Sequence, residues 1–195
     1  GILESGGKIL DRMAELKALS QDVLKNDSDI ANYDSEFKNL QVQLYQMSET
    51  KFNGVSLFAT TNAAGSVTFN TSGSGNTVSI FTSATGESGS KVSINKSAML
   101  AALTITAGTP TDKNTFQDAA ANAGDFSFAS ETTGGAMALG DVSVAVFTQA
   151  LQNMATLRAE NGGSVSRLQF SKESAGQIKT NLEAANGRIM DVDIA

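Results

Sequence analysis

Apolar side chains recur at alternating spacings of three and four residues in several parts of the chain, and this pattern constrains the fold more than any other feature. One set spans residues 30–47 and consists of Ile30, Tyr33, Phe37, Leu40, Leu44 and Met47. A second set lies near the C-terminal end and consists of Ala175, Ile178, Leu182, Ala185, Ile189 and Val192. Heptad spacing places each set in one narrow stripe along an α-helix, as in coiled coils. We expect the core seam to include Ile30, Phe37, Leu40, Leu44, Ile178, Leu182 and Ile189.

Two further segments extend this pattern. Residues 2–23 repeat an apolar residue once per heptad, and Asn26, Asp27, Ser28 and Asp29 before residue 30 are candidates to cap the next helix. Apolar residues between 147 and 168 fit a second heptad frame that slips by one residue before Ala175. The sequence predicts one long C-terminal helix over 142–193, about 75 Å in length. Gly162-Gly163 inside it costs about 1 kcal/mol per glycine relative to alanine.

The middle of the chain has a different character. It is rich in Ser, Thr, Gly and Asn, and apolar residues alternate at period two around residues 67–69, 78–80 and 92–94. Such alternation between turn residues predicts short strands, and segments 97–103 and 112–123 read as short helices. Phe52, Asn53 and Gly54 predict a tight turn entering a strand, because Asn-Gly readily adopts positive φ.

These patterns together predict an α+β protein with two parts. The apolar stripe of a single helix cannot be buried by that helix alone. Residues 1–56 and 140–195 should therefore form one discontinuous domain, a bundle of three antiparallel long helices that brings the chain ends together. Residues 57–139 should form a small α+β insert domain outside that bundle. Replacing residues 60–135 by a short Gly/Ser linker should leave the helical bundle folded.

Composition excludes several functions. The net charge of −6 argues against nucleic-acid binding, which requires clustered Lys and Arg. The chain has no His and no Cys, so the commonest general bases, nucleophiles and metal ligands are absent. Asp191 and Asp193 come nearest to a carboxylate pair, but on a helix they do not share a face. We expect no enzyme activity, no cofactor, no metal site and no membrane span.

Two groups of motifs, in order, resemble the core regions of bacterial flagellins. The N-terminal group is Arg12-Met13-Ala14-Glu15-Leu16, Asn26-Asp27-Ser28-Asp29, Glu36 and Thr50-Lys51-Phe52-Asn53-Gly54. The C-terminal group is Leu157-Arg158-Ala159-Glu160, Arg167-Leu168 and the run from Arg188 to Ala195. The resemblance covers about residues 1–57 and 140–195, and the middle resembles nothing that we can name.

The resemblance implies a subunit of the bacterial flagellar filament, an extracellular structural protein of motility that is exported by the type III route without a cleaved signal peptide. It implies the helical core domain that flagellins call D1, and a self-assembling homopolymer served by an export chaperone and cap proteins. The terminal assembly segments of the family are expected on both sides of this region, so the region alone should not polymerise. The turn at Phe52, Asn53 and Gly54 would correspond to the hairpin implicated in protofilament switching.

Some flagellins are also recognised by a Toll-like innate immune receptor through an Arg, a Leu and a Glu. By motif these residues correspond to Arg12, Leu16 and Glu36 in this chain, with Asp11 where recognised flagellins often carry Gln. Recognition would require Arg12 and Glu36 to point outward and Leu16 to be at least partly accessible. Leu16 also lies in the heptad frame, where burial is the simpler expectation.

Two other functions remain open from the sequence. The same architecture occurs in hook–filament junction proteins, although the Phe-Asn-Gly turn and the Leu-Arg-Ala run favour flagellin. A surface adhesin whose insert binds a glycan is a further alternative, which an exposed aromatic platform would favour. The insert contains Phe but no Trp or Tyr, which makes this alternative weaker.

Overall fold

The computed structural model describes residues 1–52, 55–56, 58, 77–83, 85, 88–95, 99–106 and 125–194. Three long helices dominate it: α1 (Ile2–Ser20), α2 (Asp27–Ser48) and α4 (Val144–Ile194), with a short α3 (Met99–Ala102) between them. A 3₁₀ turn, Leu139–Asp141, leads into α4. Helices predicted from heptad spacing are therefore present, including the long one, whose 51 residues span about 76 Å.

The two N-terminal helices form an antiparallel hairpin. The α2 helix begins where the sequence predicted, because the side-chain oxygen of Asn26 accepts a hydrogen bond from the Asp29 amide at 2.8 Å. Capping of this kind satisfies one of the amides that have no partner in the first helical turn. Because α1 and α2 run antiparallel, Arg12 of α1 lies beside Glu36 of α2.

The first part of α4 packs antiparallel to α1. Lys17, near the end of α1, reaches the carbonyl oxygen of Leu139 just before α4. Gly6, near the start of α1, lies against Met154 further along α4, and a β-carbon placed on Gly6 would lie 2.9 Å from the methionine methyl group. A glycine here allows the two helices to approach closely.

Among the described residues, six short strands form three antiparallel pairs. These are β1 (Lys51–Phe52) with β2 (Val55–Ser56), β3 (Thr77–Phe81) with β4 (Lys91–Asn95), and β5 (Thr104–Thr106) with β6 (Asp125–Ser127). The strand predictions around 78–80 and 92–94 correspond to β3 and β4, paired with Val78 opposite Ile94. The strand predicted at 67–69 and the helix predicted at 112–123 lie outside the described residues.

In the part of the chain that the structure describes, one hydrophobic cluster joins elements from both predicted parts. Phe147 of α4 stacks against Phe37 of α2 at 6.1 Å between ring centroids and against Phe128 at 4.8 Å. Met99, Leu103 and Ile105 are fully buried in the same cluster. The division into a helical domain and an insert over 57–139 stays a prediction, but residues within 99–105 and 127–130 are buried together with the helices. A deletion of 60–135 would remove part of that core.

The predicted core seam does not hold in the C-terminal part of α4. No described side chain from 158 to 193 is buried. Leu182 is 65% exposed, Ile178 is 56% exposed and Ile189 is 69% exposed, so these three members of the predicted seam do not pack in the core. Within the described residues, α1 and α2 lie against the first part of α4 only.

Within the N-terminal half the seam prediction holds in part. Phe37 and Leu44 are fully buried, and Leu40 is partly buried against the core. Ile30, in the first turn of α2, is 38% exposed and lies at the edge of the bundle. Among the described residues, no helix is both long enough and apolar enough to cross a membrane.

Candidate interaction surface

Arg12 links the two helices of the N-terminal hairpin on their outer face. Its Nε donates to Glu36 Oε1 at 2.8 Å and its Nη2 donates to Glu36 Oε2 at 3.1 Å. A third nitrogen, Nη1, lies 3.1 Å from Oε1 of Glu15, one turn along α1. This two-pronged contact matches the planar fork of the guanidinium to a carboxylate, which is the strong form of such pairs.

The Arg12 cluster remains accessible to solvent. The side chains of Arg12 and Glu36 are each 41% exposed, and that of Glu15 is 60% exposed. The hydrogen bonds that Arg12 donates to Glu36 and then to Glu15 raise the pKa of Arg12 above its already high ordinary value. The arginine is therefore permanently charged and held in one orientation, as a preformed donor surface for a partner that carries an acceptor.

Leu16 does not belong to this surface. It is 0% exposed and lies in the core. The resemblance implied that Leu16 should be accessible. This requirement is not met, because the side chain of Leu16 points from α1 into the core. Arg12 and Glu36 do point outward on adjacent helices, as that hypothesis required.

A buried glutamine that the sequence did not single out holds the segment leading into α4. The Gln41 side chain donates through Nε2 to the Met137 carbonyl at 2.9 Å and accepts from the Met137 amide through Oε1 at 2.9 Å. The side-chain amide of Gln41 thus forms two hydrogen bonds with the backbone of Met137, as a residue of a neighbouring antiparallel strand would. Gln41 is 0% exposed, and its own carbonyl accepts from the Ser130 amide.

Two charged side chains extend this attachment. Asp34 Oδ1 accepts from the Leu139 amide at 2.7 Å, and Lys17 Nζ donates to the Leu139 carbonyl at 3.0 Å. Asp34 also pairs with Lys38 at 2.9 Å. Apart from the pair of Asp34 with Lys38, these contacts join residues about a hundred positions apart in the chain, so no local sequence pattern could have identified them.

The turn at Phe52, Asn53 and Gly54 is only partly described. Phe52 pairs with Val55 across β1 and β2, so the two strands flank Asn53-Gly54 as the sequence predicted. Asn53 and Gly54 themselves lie outside the described residues. The role of this turn in switching stays a prediction.

The exposed part of α4 continues the buried part without a change of register. Phe147, Ala150, Met154 and Leu157 are buried and step by three and four residues. The same steps continue through Asn161, Ser164, Leu168, Ser171, Ala175, Ile178, Leu182, Ala185, Ile189 and Val192. We call this set of ten the α4 seam, and residues 158–194 the α4 extension. The slip predicted before Ala175 is absent. The heptad frame defined by the buried residues contains Ala150 and Leu157, whereas the predicted frame contained Leu151 and Val165.

The described residues contain no group of three or more His, Cys, Asp or Glu side chains that could hold a metal ion. What the described residues do present is a partly exposed cluster of Arg12, Glu15 and Glu36 on the hairpin.

This architecture can be compared with known proteins. No family model matches the chain, and no curated protein sequence is similar to it. The fold is similar to that of a flagellin. The crystal structure of Bacillus cereus flagellin superposes with a TM-score of 0.53 over 94% of this chain and 85% of that chain, at 20% sequence identity. At this identity the likeness establishes a mostly helical, flagellin-like fold with a small strand insert.

Proposed function

We propose that the chain is a structural subunit of a bacterial flagellar filament, exported to the cell exterior, where it serves motility. One observation carries the proposal: a long C-terminal helix packed on an antiparallel helical hairpin, in an arrangement shared with flagellin over 94% of the chain. A fold of this kind presents long helical faces for packing against further copies. Self-assembly, with an export chaperone and cap proteins as accessory partners, is part of the same proposal.

Deleting the gene in the organism that encodes the chain tests this proposal. We expect the cells to lose their filaments in electron micrographs and to stop swimming in soft agar, and a plasmid copy should restore both. A copy carrying Phe37→Asp is the matched control, because a charge in the fully buried core should prevent folding and restore neither.

Antibodies against the chain separate the alternatives on the same cells. Labelling along the whole filament supports a filament subunit. Labelling confined to the base of the filament would instead indicate a hook–filament junction protein, and labelling of the cell body on a strain that keeps its filaments would indicate an adhesin. Either of the last two results would refute the proposal.

We further propose that any recognition by a Toll-like receptor uses Arg12 and Glu36 and excludes Leu16. Their preformed contact and outward position support this assignment. Charged residues at the centre of an interface, arginine above all, often dominate its energy. Arg12→Ala should weaken receptor binding by about tenfold or more, whereas Lys8→Ala, an exposed cation on the same helix, should change it little. Biolayer interferometry with the wild-type chain decides the matter, since no binding at micromolar concentration would refute the proposal.

A further inference from the structure

The turn that joins α1 to α2 presents two adjacent apolar side chains to solvent. Val23 is 95% exposed and Leu24 is 87% exposed. Turn positions are dominated by Gly, Pro, Asn, Asp and Ser, because these residues favour turn conformations or bond to the turn backbone. Folding of the hairpin therefore does not require Val and Leu at these positions, and a contact with a partner would account for them.

Hydrogen bonds within the turn hold it in one conformation. The Leu24 amide donates to Asp22 Oδ1 at 3.0 Å, and the Lys25 amide donates to the Asp22 carbonyl at 3.2 Å. Asn26 then caps α2. Because the backbone is already ordered, a contact made through Val23 and Leu24 costs little further conformational entropy.

The turn lies at the end of the hairpin that is farthest from Gly1. The 19 residues of α1 separate the two by about 28 Å. Since α4 runs antiparallel to α1, its C-terminal part also extends away from the turn. The exposure of Val23 and Leu24 is therefore separate from the open face of α4 beyond Leu157.

The charges around the turn disfavour a contact between two such turns. Residues 21–29 carry the three aspartates Asp22, Asp27 and Asp29 and the single lysine Lys25, a net charge of −2. Lys25 lies over the ring of Tyr33 on its own hairpin, at 5.9 Å from the centroid. Two turns in contact would bring like charges together, which is unfavourable. The surface that fits the turn is therefore a different one, apolar at its centre and neutral or basic at its rim.

We propose that this surface belongs to a second copy of the chain in the filament, so that Val23 and Leu24 of one copy pack against an unlike surface of the next. The inference rests on the proposed function, in which the chain polymerises. A contact between unlike surfaces is heterologous, and its repetition builds an open helical array when the rotation does not close into a ring. A contact between two turns would instead end at a dimer.

Replacing both apolar side chains tests the role of the turn in assembly. The double variant Val23→Ser with Leu24→Ser removes the apolar groups and keeps residues that suit a turn. Loss of two buried side chains should raise the critical concentration for filament growth by about 100-fold or more. Cells that lack the gene and carry this variant on a plasmid should release subunits into the medium without building normal filaments. Filaments as abundant and long as those of the wild type would overturn the proposal.

Two controls separate assembly from folding. Val23 and Leu24 are exposed in the single chain, so purified subunits of the double variant should melt as the wild type does when followed by circular dichroism. Gln21→Ser changes an exposed polar residue of the same turn and should leave the filaments unchanged, because it removes no apolar group.

A cysteine in the turn measures its burial directly, in a sequence that has no cysteine of its own. A maleimide should label Leu24→Cys readily in dissociated subunits and about tenfold or more slowly in intact filaments, because thiol reactivity requires access. Dissociating the protected filaments should restore full labelling. Filaments of the unsubstituted protein are the control for background labelling.

The labelling results also show which part of the reasoning fails. Equal labelling of filaments and subunits would mean that the turn stays exposed after assembly, and slow labelling of dissociated subunits would mean that the chain itself covers the turn. Disulfide-linked dimers of Leu24→Cys would indicate contact between two turns. Each of these results overturns the inference while leaving the filament assignment intact, whereas failure of the wild-type gene to restore filaments would refute the proposed function itself.

Discussion

Replacing Gln41 should show how strongly one buried side chain stabilises the attachment of the segment before α4. The Gln41→Ala change removes both hydrogen bonds to Met137 and leaves the amide and carbonyl of Met137 without these partners. An unsatisfied buried polar group costs about 1–3 kcal/mol, and two such groups plus a small cavity give a loss of about 2–5 kcal/mol. That is a large fraction of the roughly 5–15 kcal/mol that stabilises a typical domain.

Urea denaturation followed by circular dichroism measures this loss. Gln43→Ala is the matched control, because it makes the same chemical change at an exposed position of the same helix and should cost little. Hydrogen exchange gives a local measure, since the amides of Met137 and Leu139 should lose protection before those of α2. A loss below about 1 kcal/mol, or one equal to that of the Gln43 control, would refute the reasoning.

The Gln41→Glu change separates hydrogen bonding from packing. At neutral pH a carboxylate would face the Met137 carbonyl with no proton to donate, so destabilisation should be comparable to that of alanine. Burial raises the pKa of a carboxyl group, and the protonated acid regains a donor. The variant should therefore recover stability as pH falls through that raised pKa, whereas Gln41→Ala should not.

Three further predictions follow from burial and hydrogen bonding. Leu44→Ala should cost about 2–5 kcal/mol of unfolding free energy, whereas Leu182→Ala in dilute solution should cost under about 1 kcal/mol, since only the first side chain is buried; equal losses would contradict this. Gly7→Ala should raise the melting temperature, because nothing lies near the added methyl group and alanine is better by about 1 kcal/mol in a helix; a lower one would show a contact that the structure lacks. Burial, and then a hydrogen bond to Glu131, raise the pKa of Tyr45 above its ordinary value of 10.0. The contribution of Tyr45 to the free energy of unfolding is therefore complete below pH 10 and declines above it, and Tyr45→Phe should flatten that decline in a pH series of urea melts.

The helices could be predicted from the sequence because their signals are local. Heptad spacing and the capping residue Asn26 act within a few positions, and the structure begins α2 next to that cap. The same holds for β3 and β4, where alternation placed Val78 and Ile94 in strands that do pair. Arg12 and Glu36 were placed together by resemblance, and the structure brings them within 2.8 Å.

The attachment of the segment before α4 could not be predicted. Gln41, Asp34 and Lys17 are ordinary polar residues of amphipathic helices, and their partners at Met137 and Leu139 lie far away in the chain. The role of 99–105 in the core was hidden for the same reason. A short apolar run fits an insert and a bundle equally well until its neighbours are known.

What the amino-acid sequence determined by itself is the set of helices and the stripe on each of them, because helical periodicity is a property of the local chain. Which stripes become buried was decided only by tertiary structure. Leu157 and Leu182 both lie on the same heptad stripe of α4, yet one is fully buried and the other is 65% exposed. The difference arises because burial requires a second surface, and the hairpin of α1 and α2 reaches only the first part of α4.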